Sequence, residues 1–439
     1  MTTVRLGWAS LIALTLTGLA IASGPARWRQ TDAPRTQAFV NARIIDGVSP
    51  APIARGVVVV RNGRVAAVGP LDLVTIPADA ERVDLTGKTV VPGIVNAHGH
   101  VGQNRGFDGG PEVNTEENVL SQLGLYARYG VTTVISLGGD SDAGFRIRES
   151  RESPDLDHAR LYVAGPVLAP ETPAKARDAV EALAVRKPDF VKFRVDDNLG
   201  STSKMPVSVY QTIIEVAQRR GLPVATHLFY LEDAIKLVQA GTNLVAHSVR
   251  DQPVTRELID LLLQREVCVC PTLTRELSTF VYRDRPTFFG DPFFVKEADR
   301  TVVERLEEPA RQAAMRESES AKAYEAALEV AKANLEALVE AGVSIAFGTD
   351  TGPPGRFQGY FEHLELDLMA EAGLTPRQIL RAATADAARC MGLDGQVGTL
   401  EPGAWADLLV LAGDPLDDIA NLHRIDAVYI AGNAVPGVR

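Results

Sequence analysis

Apolar and polar positions fall into two textures along the chain. From residue 36 to 90, short β-rich runs (AFVNARIID, GVVVVRNGRVAAVG, ERVDLTGKTVV) are separated by turns. Asn62-Gly63 between two apolar runs is a strong hairpin signal. The same texture returns near the C-terminus in ADLLVLAG and RIDAVYIAGNAV. Two β-rich segments around a long middle predict a small β-sandwich domain formed from both ends of the chain, residues 36–90 and 393–439. The middle, residues 91–392, carries apolar runs at 131–138, 160–168, 190–196, 223–229, 243–249, 267–273 and 344–350. Helical patterns such as YQTIIEVAQRRG, LEDAIKLVQAG and ELIDLLLQRE lie between them, several ending in Gly. Counting the run at 90–95, eight strand–helix repeats predict an α/β fold with a parallel (β/α)8 TIM barrel.

One stretch departs from the repeat. After the seventh run, residues 274–340 open with STFVYRDRPTFFGDPFF and continue as a long charged helical pattern. An insertion there overhangs the C-terminal end of the strands, where such barrels keep their sites. A lid or substrate wall and a surface that packs on a neighbouring subunit are both open readings. The N-terminus differs again: Arg5, an apolar stretch Leu6–Ala22 and the small-x-small ending Ala20-Ile21-Ala22 predict a secretory signal peptide over residues 1–22. Residues 23–35 then form a flexible lead-in, and the protein is expected to be exported, periplasmic or secreted. An uncleaved anchor is the alternative.

Composition narrows partners more than chemistry. A net charge of −11 argues against nucleic-acid or anionic-membrane surfaces. The partner expected is a small molecule, with no stable membrane span once the signal is removed, and assembly into homo-oligomers stays open. The three cysteines make no disulfide framework, and Cys268, Cys270 and Cys390 are all expected to be buried free thiols.

The chemistry sits at the strand ends. VVPGIVNAHGH ends on His98 and His100, whose i, i+2 spacing in a strand points both imidazoles to one side. Lys192 lies in FVKFRVD, His227 in VATHLF, His247 in LVAHSV and Asp350 in FGTD. Of the seven histidines, four therefore close strands of the expected barrel, which turns a weak His-x-His into a metal-type constellation. A buried cationic Lys is costly, so Lys192 is expected to be neutral or carbamylated, or else paired with Asp350 or Asp196. Arg194, Tyr230, Arg250 and Arg275 stand close to these positions and suit a substrate carboxylate. Salt bridging with Asp196, Asp251 and Glu276 is the plainer alternative for each arginine. His363, on an amphipathic helical pattern, is expected to be structural, and His158 and His423 fall outside the strand-end pattern.

VPG…HxH followed by Lys, His, His and Asp in that order resembles the amidohydrolase superfamily. FVKFRVD, AHS and EAGLTPRQILRAATADAARCMGLDGQVGTLEPGAWADLLVL bring it nearest the prolidase-like and imidazolonepropionase-like branch. The resemblance implies two divalent metal ions, zinc in the first instance. His98, His100 and Asp350 would hold one, His227 and His247 the other, and a carboxylated Lys192 would bridge them with a hydroxide. It implies hydrolysis of an amide, whether a C-terminal peptide bond, an N-acyl amino acid or a cyclic amide. Asp350 would carry the proton. Lactone, ester or phosphotriester hydrolysis on the same site is the alternative. A deaminase would carry a Glu near the fifth- or sixth-strand His, where this chain has LFY and SVR. A metal-free assembly protein is the alternative of another class. Asn96 departs from the family, many members having Asp there.

Overall fold

The computed structural model describes residues 35–438, so the expected signal peptide and nearly all of the lead-in lie outside the described residues. The two β-rich ends meet in one eight-stranded mixed sheet. Its order is Asn433–Ala434, Ile425–Ile430, Leu408–Leu411, Thr89–Pro92, Thr36–Ile44, Ile53–Arg61 and Arg64–Pro70, with Glu81–Asp84 also paired to Thr36–Ile44. The hairpin forms at Asn62-Gly63, where φ angles of 52° and 76° give the two left-handed residues of a tight β-turn. Alternation along the strands puts Phe39, Val58, Val60, Leu408 and Val410 into one apolar cluster and Ala38, Val40, Val57 and Val59 into another.

The apolar run at 90–95 is two strands, a correction to its expectation as one. Val90 and Val91 pair with Val410 and Leu409 in the terminal sheet, and Ile94–Gly99 starts a separate parallel set. Pro92-Gly93 makes the corner, and a Cβ on Gly93 would lie 2.0 Å from Thr132 Oγ1, so the Thr132 side chain fills the space any side chain at 93 would need.

In the middle of the chain the strands are parallel and short. Arg160–Val163, Val131–Ser136 and Ile94–Gly99 form one set, and Val191–Arg194, Val224–His227, Leu244–Val245 and Cys268–Val269 another. Single bridges Leu168–Phe193, Val269–Ile345 and Gly99–Thr351 link these sets and the segment 344–351. The run 344–350 forms no ladder of its own: Ile345 makes a single bridge to Val269, and the extended path ends at Asp350, where φ is 59°. The helices between the strands appear as Val207–Arg219, Leu231–Ala240 and Arg256–Gln264, the second closed by Gly241 at φ 103°.

The insertion is packed. Its aromatic part folds into short turns whose Tyr282, Phe289 and Phe294 join Tyr129, Tyr360 and Phe361 in one cluster. Glu319–Glu340 is the charged helix. Tyr282 Oη donates to Gly355 O, and Arg356 Nε donates to Ser278 Oγ at 3.0 Å. The insertion is thus fastened to the loop that follows Asp350.

The cysteine expectation is overturned. Cys268 and Cys390 form a disulfide, their Cα atoms 5.9 Å apart, and only Cys270 among the described cysteines is a free, buried thiol. Cys268 and Cys270, two apart in VCVCPTL, lie on the same side of the extended run without easy bridging geometry. The partner came from the helix Ala385–Cys390, which packs behind the strands. Alkylation of denatured, unreduced protein should therefore label one cysteine and label three after reduction. Cys390→Ala should lower stability by about 2–4 kcal/mol. Three labels without reductant would refute the bond.

Candidate metal centre

Ile94–Gly99 is buried along its whole length, and it delivers His98 at its end and His100 just beyond. Asn96 fixes the first: its Oδ1 accepts the His98 backbone N–H at 2.9 Å. The His98 carbonyl accepts the N–H groups of Thr349 at 3.1 Å and Asp350 at 2.6 Å, which stitches the strand end to the segment carrying the carboxylate. His98, His100 and Asp350 then place their ligand atoms within 4.8 Å of one another.

These donors suit a divalent ion. His100 Nδ1 lies 2.9 Å from the Gly138 carbonyl and 2.8 Å from Gln103 Nε2, which leaves Nε2 as the ring nitrogen turned to the site. His100 Nε2 lies 2.7 Å from Asp350 Oδ1. Two electron-pair donors so close call for a shared cation or proton. Burial, with Lys192 adding to it, holds His98 well below its ordinary pKa, and burial pushes His227 down to about 3. Uncharged imidazole is the ligating form. Burial alone would raise Asp350, but Arg356 and the His100 hydrogen bond outweigh it and hold the carboxyl well below the usual range.

Lys192, on Val191–Arg194, is buried with Nζ 3.0 Å from His98 Nε2, and burial lowers its amine to about 8. The salt-bridge alternative does not appear. Asp196 pairs with Arg194 at 2.5 Å and His227 at 3.1 Å, and Asp350 with Arg356 at 2.5 Å. His227 and His247 lie side by side, ring centroids 4.1 Å apart, and His247 is 4.8 Å from the His98 ring. Thr272 Oγ1, on a residue at φ 51°, sits 2.7 Å from His247 Nδ1.

The four expected substrate contacts fare differently. Arg250 is sealed, its side chain 0% exposed, ion-paired to Glu276 at 2.9 Å and donating to the carbonyls of Leu228 and Ser248. It is a brace, and its carboxylate is Glu276 rather than neighbouring Asp251. Arg275 shares that same Glu276 at 2.8 Å. Tyr230 Oη donates to Asp197 at 2.7 Å, and Arg194 is taken up by Asp196. Sequence reasoning missed Arg356, whose only signal was its place shortly after FGTD. His363 is buried with Nε2 2.8 Å from Tyr129 O, a structural position. A cavity of about 180 Å³ lies behind the loop Gly352–Gln358, and none of the metal-type side chains lines it.

Beneath the donors runs a buried polar network. Asn96 Nδ2 donates to Glu362 Oε1 at 2.7 Å, which also accepts from Thr349 and Thr351 at 2.6 Å each. Burial pushes Glu362 up to about 7.

The chain belongs to the amidohydrolase family, whose profile matches residues 89–435, and with it to the enzymes that hydrolyse carbon–nitrogen bonds. Its members usually bind divalent metals. An uncharacterized protein of Mycobacterium tuberculosis is 28% identical over 360 residues, 79% of this chain and 85% of that one. A 5-methylthioadenosine/S-adenosylhomocysteine deaminase of Symbiobacterium thermophilum is 24% identical over 429 residues, 87% of this chain and 86% of that one. Among solved structures, a Xaa-Pro dipeptidase with methionine bound in its active site matches with TM-score 0.74 at 19% identity, over 91% of this chain and 99% of that one. A likeness at that identity concerns the fold.

The network explains Asn96: an Asp there would face Glu362 with two acceptors. Asn96→Asp should cost about 1–3 kcal/mol in urea unfolding at pH 8, above the value to which Glu362 is pushed. The deficit should shrink towards pH 6, where one shared proton relieves the pair. Adding Glu362→Gln should recover most of it at pH 8. Parent-like stability of Asn96→Asp at pH 8 would count against this hydrogen bond.

Proposed function

We propose that the protein is a metal-dependent amidase acting on a small molecule that carries a carboxylate: a C-terminal peptide bond, an N-acyl amino acid or a cyclic amide. The carrying observation is the convergence of His98, His100 and Asp350, with Lys192 Nζ against His98. His98, His100 and Asp350 would hold one divalent ion and His227 and His247 a second, with a carboxylated Lys192 between them. Zinc is the ion this nitrogen and oxygen set favours. When bound, such ions supply Lewis acidity and a water of lowered pKa. Asp350 would be the group that holds a proton for the leaving nitrogen.

The architecture belongs to the same reading. The parallel sets and their three bridges fit a closed (β/α)8 barrel, with the terminal sheet as a small β domain. LFY after His227 and SVR after His247 speak for a non-deaminating enzyme. Export is proposed too: the Cys268–Cys390 bond suits an oxidising compartment, as the N-terminal sequence does.

Three measurements check these points. Metal analysis should find about two divalent ions per chain. Lys192→Ala should lose metal and activity, and bicarbonate with a short carboxylic acid should restore part of both, while Lys192→Arg should stay inactive because a permanent cation cannot ligate. Asp350→Asn should lower turnover by roughly a hundredfold or more. Full activity in both Lys192→Ala and Asp350→Asn would place the chemistry elsewhere. Separately, the intact mass of protein from its native host should correspond to a start near Ser23, and a mature form retaining Arg5 would refute the cleavage.

A further inference from the structure

We propose that Arg356, with Arg275 beside it, is the anchor for the substrate's anionic group; this deepens the amidase reading and rests on it. Cations outnumber carboxylates on this side of the site. Arg250 and Arg275 converge on the single carboxylate of Glu276, at 2.9 and 2.8 Å. Arg356 has Asp350, but that carboxylate already faces His98 and His100. Among the described residues, three guanidiniums therefore lean on two carboxylates, one of them shared with the metal-type donors. Arg275 also opposes Arg356 electrostatically. A buried guanidinium without its full counter-charge is costly, and an incoming anion relieves that cost.

Access singles out Arg356. Side-chain exposure is 0% for Arg250, 8% for Arg275 and 16% for Arg356. Arg194 is more exposed but is held by Asp196, and Tyr230 by Asp197. Arg356 is also oriented: Nε donates to Ser278 Oγ at 3.0 Å, and Nη1 to Asp350 Oδ2 at 2.5 Å and Asp350 O at 3.3 Å. Its Nη2 donates to no protein acceptor among the described residues. With Nε and Nη1 engaged, the two N–H groups of Nη2 are the donors left for an incoming carboxylate, a charge-assisted contact through one nitrogen. The main-chain bonds Gly352 N–H to Arg356 O and Arg356 N–H to Pro353 O close the loop that carries it.

The test compares zinc-loaded wild-type, Arg356→Gln and Arg356→Lys proteins, each with measured metal content. Thermal shift is recorded against benzoate, N-acetyl-L-phenylalanine and N-acetyl-L-phenylalaninamide. The two acids should stabilise the wild type and the amide should not. Arg356→Gln should weaken acid binding about tenfold or more, the loss of one charge-assisted pair, with Arg356→Lys in between. A metal-loaded Gln variant that answers to acids like the wild type overturns the proposal, as does a wild type indifferent to acid against amide. If the Gln variant loses its metals, the Lys variant decides: acid binding weakened about threefold supports the anchor, and unchanged binding refutes it. Cleavage is scored separately. Arg356-dependent acid binding without hydrolysis of any amide would retire the amidase reading alone, and hydrolysis without acid preference would retire the anchor alone.

Discussion

Burying imidazoles, an amine and a carboxylate within a few ångströms of one another is unfavourable unless a positive charge is shared among them. Everything around the site is arranged to hold that unfavourable gathering in place. Two backbone N–H groups, of Thr349 and Asp350, converge on the His98 carbonyl, so the first strand and the last segment cannot drift apart without exposing buried main chain. Gly348 and Gly352 let the segments meet. A Cβ on Gly348 would lie 2.8 Å from His98 N, and one on Gly352 2.4 Å from His100 O. Below, Glu362 gathers donors from Asn96, Thr349 and Thr351, so the residues flanking the ligands share one acceptor.

Outside this shell, distant pieces of chain are tied back to the same strands. Arg160, at the start of its strand, reaches Asp407 through Nε at 2.9 Å and Nη2 at 3.2 Å, both partners almost wholly buried, with Trp405 stacked on the guanidinium. Asp407 also accepts the Ala431 N–H at 2.8 Å, and its carbonyl accepts the Gly93 N–H at 2.9 Å. One buried carboxylate residue thereby joins the C-terminal sheet to the corner that launches Ile94–Gly99. Removing either ionic partner would strand the other in the interior. The aromatic insertion performs the matching task on the opposite loop, through Tyr282 on Gly355 and Ser278 on Arg356.

What was legible in the sequence followed from periodicity and residue chemistry. The hairpin at Asn62-Gly63, the helices after the parallel strands and the joining of both chain ends in one sheet were written locally, in turn residues and apolar spacing. The gathering of His98, His100 and Asp350 was legible because strand ends are where such folds keep their chemistry. The misses are all long-range. The Cys268–Cys390 bond joins residues 122 apart in sequence. The division of the 90–95 run turns on how closely Gly93 passes Thr132. Arg250 looked like a substrate contact by spacing alone, but spacing does not report that Glu276 closes over it. Arg356 lies in an irregular loop, where no period predicts direction.

The net charge of the molecule and the two arginines beside the site have opposite signs, and the distance over which each acts decides which one a small molecule meets. The chain carries −11 overall, which would repel an anionic small molecule at long range. At about 0.1 M salt, however, exposed charges are largely screened beyond about 10 Å. Arg275 and Arg356 are mostly withdrawn from water, so their attraction is screened far less once a molecule has entered. If Arg356 anchors the substrate, association gains nothing from steering, and discrimination between acid and amide rests on the last few ångströms, where a desolvated guanidinium rewards a carboxylate and leaves a carboxamide a much weaker bond.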